Sequence, residues 1–409
     1  MANWKTLTGV VVALSFSTAG VSAAPDTSII HWWTAGGEAA ALRILVDAFE
    51  KNGGKWKDSP VAGGEAARMV ARTRILGGDP PTAMQWQFGN NLFALAEEKL
   101  LNDLDDVAKP DGWDKVLPPQ IQAQIKYEGK YVIAPLGLHG RNWLWSNTEV
   151  FAKVGVAAPK TWAEIDAVAE KIRAAGYIPL ALGGQSWQEL IVFETVVLEV
   201  GGAEMFKKVT ALDLDTLGSP KMVDVFRQLE KIKGYLDPGS PGRDWNITAG
   251  LLTSGKAALF VHGDWAKGEF AGAGKSPGKD IGCTIFPAGR NVYVYNGDGF
   301  AATAVTDADR RKAQTILART VMDPALQHAF SIRKGSIPSR LDVSVDGFDP
   351  CAQAAYAASG AGQLVETGDL VSEPTGWGAI QDTVTAFMHG KQSPEAGVEA
   401  LVRAVKAAK

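Results

Sequence analysis

Apolar residues recur at helical spacing in several stretches. Leu42, Leu45, Val46 and Phe49 follow the i, i+3, i+4, i+7 pattern of one buried helix face, and Val223, Phe226, Leu229 and Ile232 repeat at every third position. Thr161-Trp-Ala-Glu164 has the form of a capping box opening a helix after Pro159, and Ser219-Pro220 sets a proline at a first helical position. Between these helices lie short β-prone runs: "TAMQWQ", "KYVIAP", "IPLALGG", "AALFVHG", "VYVYNG" and "GFAATAV". Alternation of this kind predicts an α/β architecture with largely parallel sheets. One stretch, Ser28 to Leu45, is unusual. Ile29 and Ile30 read as a buried strand, Trp32 and Trp33 follow at its end, and Gly36-Gly37 turns the chain into a helix that carries Glu38 in its first turn. Adjacent residues of an extended chain point to opposite faces, so one core slot cannot hold both indoles.

Length changes the picture by bounding the number of domains. At roughly 150 residues per domain, a chain of 409 residues predicts two or three. No internal repeat or long flexible linker separates them; the nearest candidates are "GGDPPT" and "DPGSPGRD". Lobes without a tether are expected to be joined by strands that cross more than once, an arrangement that leaves a cleft. The first 23 residues read as a secretory signal: Lys5, an apolar stretch from Leu7 to Phe16 too short to span a bilayer, and the small-residue exit "GVSAAPD", with cleavage expected before Ala24. No cysteine stands there to carry a lipid anchor.

Charge and cysteine content then exclude several classes. Removing residues 1–23 takes away Lys5 and no acid, so the formal net charge goes from −4 to −5. With no basic cluster, neither nucleic acid nor an anionic membrane is an expected partner. Cys283 and Cys351 are the two cysteines; in an oxidising compartment a disulfide between them is expected, the alternative being two buried thiols. Enzyme signatures fail on inspection. Gly274-Lys275-Ser276 lacks the glycine a phosphate loop needs five residues earlier, where Glu269 stands. Gly297–Ala302 fits a dinucleotide fingerprint, but its continuation "FAATAVT" reads as strand and not helix. His31, His139, His262, His328 and His389 show no metal-ligand spacing, so neither a metal nor a cofactor is expected. Paired carboxylates for glycoside hydrolysis are uninformative among 45 acids.

What recurs is tryptophan beside a polar group near a predicted element end: Trp32/Trp33 with Glu38, Trp86 with Gln87, "RNWLWSN" at 141–147, "RDWNI" at 243–247, "HGDW" at 262–265 and "PTGWG" at 374–378. An indole face is flat, apolar and rigid. A pyranose offers flat C–H faces and a rim of hydroxyls that both donate and accept. Stacked indoles cover such faces while acids, amides and lysine bond the rim, the charged groups more strongly.

Several segments also resemble a known family. "FAKVGVAAPKTWAEIDAVAEKI" (Phe151 to Ile172) and "SGKAALFVHGDWAKGEF" (Ser254 to Phe270), with "HWWTAGGE", "NGDGF" and "RKGSIPSR", are similar to segments of the extracellular solute-binding proteins of ABC sugar importers, closest to their glucose-binding branch. The resemblance spans nearly the whole mature chain. It implies a monomeric, non-catalytic, two-lobed periplasmic receptor whose hinge closes over one sugar and hands it to a permease in the inner membrane. Each lobe would be a mostly parallel sheet flanked by helices, with residues 24–137 plus 292–340 in the first lobe and 138–291 plus 341–409 in the second. Carried over position by position, Trp32 and Trp33 pack on or beside the sugar, Glu38 and Gln87 bond it, and Trp245 and Trp265 stack from the second lobe. Asp298 and Lys334 bond the hydroxyl rim, joined by His139 and Asn142. Trp377 stands where glucose-binding relatives carry a histidine, which exchanges two ring nitrogens for a large apolar face and one donor. The alternatives are a receptor for a non-sugar solute on the same fold, or an exported carbohydrate-active enzyme using two cleft acids.

Overall fold

The computed structural model describes residues 26–409; the secretory signal and its cleavage point lie outside the described residues. Two sheets organise the chain. The larger runs, in spatial order, Ile337–Pro338, Ile133–Gly140, Tyr293–Ala302, Ala83–Gln87, Asp26–His31 and Lys55–Pro60, with Leu364–Glu366 alongside the start of Tyr293–Ala302. The smaller runs Ile281–Ile285, Trp143–Asn147, Ala257–His262 and Ile178–Ala181. Each sheet is flanked by helices; one hydrophobic core centres on the larger sheet and takes in one face of the smaller, whose other face joins the second core. This is a two-lobed α/β fold.

The strands run in mixed directions, which departs from largely parallel sheets. Asp26–His31 pairs in parallel with both of its neighbours, but Tyr293–Ala302 lies antiparallel to both Ala83–Gln87 and Ile133–Gly140. Tyr293–Ala302 enters its sheet from the opposite lobe, so it travels against these two strands, while Leu364–Glu366 lies parallel to its start. It also unites two runs that read as separate strands, "VYVYNG" and "GFAATAV", and Gly297–Ala302 lies within the strand and opens no helix.

The helical patterns appear at the expected positions. Leu42, Leu45, Val46 and Phe49 form the buried face of the helix Gly36–Lys51. Thr161 Oγ1 accepts from the Glu164 N–H at 3.2 Å, and the Glu164 carboxylate accepts from the Lys160 N–H at 2.7 Å, closing the start of Trp162–Ala174. Ser219 caps Pro220–Lys233 in the same manner.

The chain passes from the larger sheet to the smaller through Arg141-Asn142, back through residues 286–292, and over again after Leu364–Glu366, within the segment expected to belong to the second lobe. Cys283 and Cys351 are disulfide-bonded, with Cα atoms 6.0 Å apart. The bridge fastens the edge strand Ile281–Ile285 to the helix Pro350–Gly360, which packs against strands of both sheets. No helix among the described residues is long and apolar enough to cross a membrane.

The lobes touch on both sides of the cleft. On one side Gly37 meets Gly268 backbone to backbone: a Cβ added at Gly37 would lie 2.4 Å from the Gly268 carbonyl carbon. There the Gly37 N–H donates to Glu269 Oε1 at 2.7 Å, a carboxylate at the positive end of the helix Gly36–Lys51. On the other side Gln381 Nε2 donates to Glu65 Oε1 at 3.0 Å and to Ser186 Oγ at 2.9 Å.

Candidate functional site

A cavity of about 270 Å³ lies between the lobes. Strand register builds its floor. Asp298 is opposite Gln87, Asn296 is opposite His139, and Asn296 and Asp298, two apart, share one face of their strand. A bulge between Asp298 and Gly299 breaks the ladder at this point. Trp32 and Trp33 follow the strand Asp26–His31 and separate as alternation requires. Trp33 is 1% exposed, packed against Phe330 at 5.2 Å and Phe300 at 5.9 Å, with an edge left on the cavity. Trp32 stays half-buried on the cavity wall, with the Arg68 guanidinium 5.8 Å from its ring.

Lys334 is the last residue of the helix Pro324–Lys334, where a cation suits the helix dipole. Gly335 ends that helix at φ 98°, a conformation that favours glycine, and a Cβ there would strike the Asp264 carbonyl at 2.4 Å. Lys334 Nζ lies 3.0 Å from Glu38 Oε1 in a buried ion pair. From the second lobe come Trp187, Trp245 and Trp265, grouped around His262. Trp265 Nε1 donates to His262 Nε2 at 2.8 Å, so the imidazole proton sits on Nδ1. Burial, reinforced by Arg141 and Lys334, holds the His262 pKa well below its ordinary value and keeps the ring neutral.

Asp264 carries the second lobe to the cavity floor. Its carboxylate accepts from the Gly140 N–H at 2.7 Å and pairs with His139 Nδ1 at 2.8 Å. Nε2 of His139 is thereby turned toward Asp298, 3.7 Å away. Burial raises the Asp298 pKa, and Glu38 pushes the same way, while His139, Lys334 and Arg68 pull it back. Arg141 is held by Glu194 at 2.9 Å and Asp369 at 3.0 Å. Three buried polar atoms on the wall, Arg141 Nη2, Asn296 Oδ1 and Asp298 Oδ1, have no partner among the described residues. Buried polar atoms are rarely left so.

Of the residues singled out from sequence, Trp32, Trp33, Glu38, Gln87, His139, Trp245, Trp265, Asp298 and Lys334 line this cavity. Asn142 and Trp377 do not. The Asn142 amide is fully used at the crossing between lobes, donating to Phe286 O and Val292 O and accepting from the Val294 N–H. Trp377 is buried behind the wall against Gly368, its indole N–H donating to Asp369 Oδ1 at 3.1 Å. Arg68, Arg141, Trp187, Asp244, Asn296 and Asp369 line the cavity without having been singled out. Among these, Arg141, Asp244 and Asn296 lie within the segments "RNWLWSN", "RDWNI" and "NGDGF", whose tryptophans and glycines are the signal that points to them, and Trp187 lies in none of the quoted segments. Trp86, Trp143 and Trp145 belong to the core, the last two stacked at 5.3 Å and 21°. The described residues hold no cluster of metal-ligating side chains.

Two mixed sheets joined by repeated crossings, with a polar, indole-walled cavity between them, define a hinged solute receptor. Residues 34–323 match the bacterial extracellular solute-binding protein family, and the chain belongs to that family, one of binding proteins and not of enzymes. It is 42% identical, over 99% of both chains, to a protein of Mesorhizobium japonicum described as a "Probable sugar-binding periplasmic protein". Its fold is shared with a chitin oligosaccharide binding protein, at TM-score 0.82 and 21% identity over 94% of this chain and 98% of the other. The solute receptor AcbH, described as having an exclusive preference for β-D-galactopyranose, has the same fold at TM-score 0.78 and 19% identity, over 94% and 97%.

Proposed function

We propose that the protein is an exported, monomeric receptor that binds a sugar between its lobes and delivers it to the inner-membrane permease of an ABC importer, its signal segment removed near Ala23. The ligand is a glucose-like monosaccharide or a small glycoside. The observation that carries this reading is the set of three unpartnered buried atoms, on Arg141, Asn296 and Asp298, facing a cavity walled by indoles. A donor and two acceptors suit a rim of hydroxyls, each of which both donates and accepts. The name given to the Mesorhizobium japonicum relative supports the same ligand class.

In this reading Trp265 and Trp245 cover the ligand from the second lobe and Trp32 covers it from the first, while Trp33 packs behind the wall against Phe300 and Phe330. Lys334, Glu38, Gln87, His139 and Asp298 bond the hydroxyls. Hinge closure follows from the tighter contacts the ligand makes in the closed form. The experiment is a thermal-shift and tryptophan-fluorescence screen over hexoses, their glycosides and disaccharides, with the ligand analysed afterwards. The expected result is a raised melting temperature with the sugar recovered unchanged, lost in Trp265→Ala. No response across the panel would remove the sugar assignment. Turnover of labelled oligosaccharide would replace the receptor with an enzyme, and a response confined to polyamines or peptides would replace the sugar.

A further inference from the structure

We infer that the cleft takes two units: a pyranose at its buried inner end and a second compact unit, a further ring or an aglycone, at its outer end. This deepens the sugar-receptor reading and rests on it. The cavity divides by burial. Lys334, Asp298 and Trp265 mark the inner end, all at most 9% exposed, whereas Trp32, Arg68 and Trp245 are half-buried toward the mouth.

The inner cations already have partners, Lys334 on Glu38 and Arg141 on Glu194 and Asp369. Arg68 makes no ion pair among the described residues, and its guanidinium lies over Trp32. It is preorganised on an aromatic plate and free to donate to a ligand oxygen. Trp245 stacks one face on His262, with centroids 5.7 Å apart and planes at 20°, so its other face remains for a ligand. A single pyranose has two faces, and Trp265 at the inner end already meets one of them. Two further plates, one from each lobe, exceed what one ring can cover.

The mouth limits the length. The bond from Gln381 to Glu65, 3.0 Å, spans the two lobes there, and the 270 Å³ cavity lies just below the roughly 300–1,000 Å³ common to ligand pockets. A compact second unit fits these bounds; a chain of many rings does not.

Calorimetric titration of the native protein with hexoses, their methyl and phenyl glycosides, and disaccharides tests the inference. The best two-unit ligand is expected to bind at least about tenfold tighter than the best monosaccharide, the gain a stacked ring with a cation partner supplies. In Trp245→Ala and Arg68→Ala that ratio is expected to fall below about threefold, with Trp245→Phe and Arg68→Lys retaining part of it. Melting of the unliganded variants identifies any that fail to fold. A monosaccharide binding as tightly as every two-unit ligand would overturn the inference and leave the receptor reading standing. A ratio unchanged in both alanine variants would overturn it too, and the absence of any carbohydrate binding would overturn both readings.

Discussion

Lys334→Met isolates the ion pair at the heart of the cavity. The side chains of Lys334 and Glu38 are 3% and 9% exposed, with 3.0 Å between Nζ and Oε1. At an effective dielectric constant near 20, charges at that separation attract by about 5–6 kcal/mol. Part of this is offset because the methionine no longer requires an ammonium group to be stripped of water. What remains is the cost of leaving the Glu38 carboxylate buried without a cation, about 3–5 kcal/mol for buried pairs in general. Since Glu38 borders a cavity, the lower end applies, about 3 kcal/mol, or a fall of roughly 4 °C in melting temperature for a chain of this length. Replacing both partners, Glu38→Gln with Lys334→Met, removes the stranded charge and should recover at least about 2 kcal/mol relative to the sum of the single changes. The assay is a double-mutant cycle by thermal and denaturant unfolding of unliganded protein. Sugar affinity, followed in parallel, should stay weak in all three variants, because both groups face the ligand. A Lys334→Met protein that melts within about 1 °C of the parent, or a double variant no better than the sum, would refute the reasoning.

Four other outcomes are expected. The folded Asp298 holds its proton above the ordinary value of 3.8 because it is buried, so between the two values the folded state binds a proton the unfolded chain has lost. Unliganded stability therefore falls as pH rises through that window, while affinity for a hydroxyl-donating ligand rises; titrations across pH with Asp298→Asn, which should flatten both trends, check the sign. The disulfide closes a 68-residue separation, for which chain entropy gives about 4 kcal/mol; unreduced protein should show no free thiol, and reductant should move the denaturation midpoint by a corresponding amount. Trp377→Phe loses the bond to Asp369 and about 1 kcal/mol of stability, yet changes sugar affinity only a few-fold, measured by unfolding and calorimetry. His262 should remain neutral, with its proton on Nδ1, well below pH 6.5, as nitrogen chemical shifts would report.

Local periodicity made the helices and strands legible, because it depends on near neighbours alone. Strand direction was not legible: Tyr293–Ala302 runs antiparallel because it arrives from the other lobe, a property of path and not of composition. Tryptophan beside a polar group found Trp32, Trp245 and Trp265 but equally marked Trp143 and Trp145, which bury their indoles against each other. An indole fills a core as readily as it walls a cleft, and only tertiary packing separates the two. Arg68 escaped notice because a lone arginine on a helix resembles any solvated surface charge. Family position points to Asn142 and Trp377, and each is bonded fully or in part to the frame behind the cavity.

The bond between Cys283 and Cys351 has a mechanical consequence. The helix Pro350–Gly360 rests against both sheets but is chained to only one of them, through the strand Ile281–Ile285. When the halves swing apart, that helix must ride with the sheet to which its sulfur is tied. Slippage is then confined to its seam with the larger sheet, so cutting the bridge would let the helix choose its side and blur the axis of rotation.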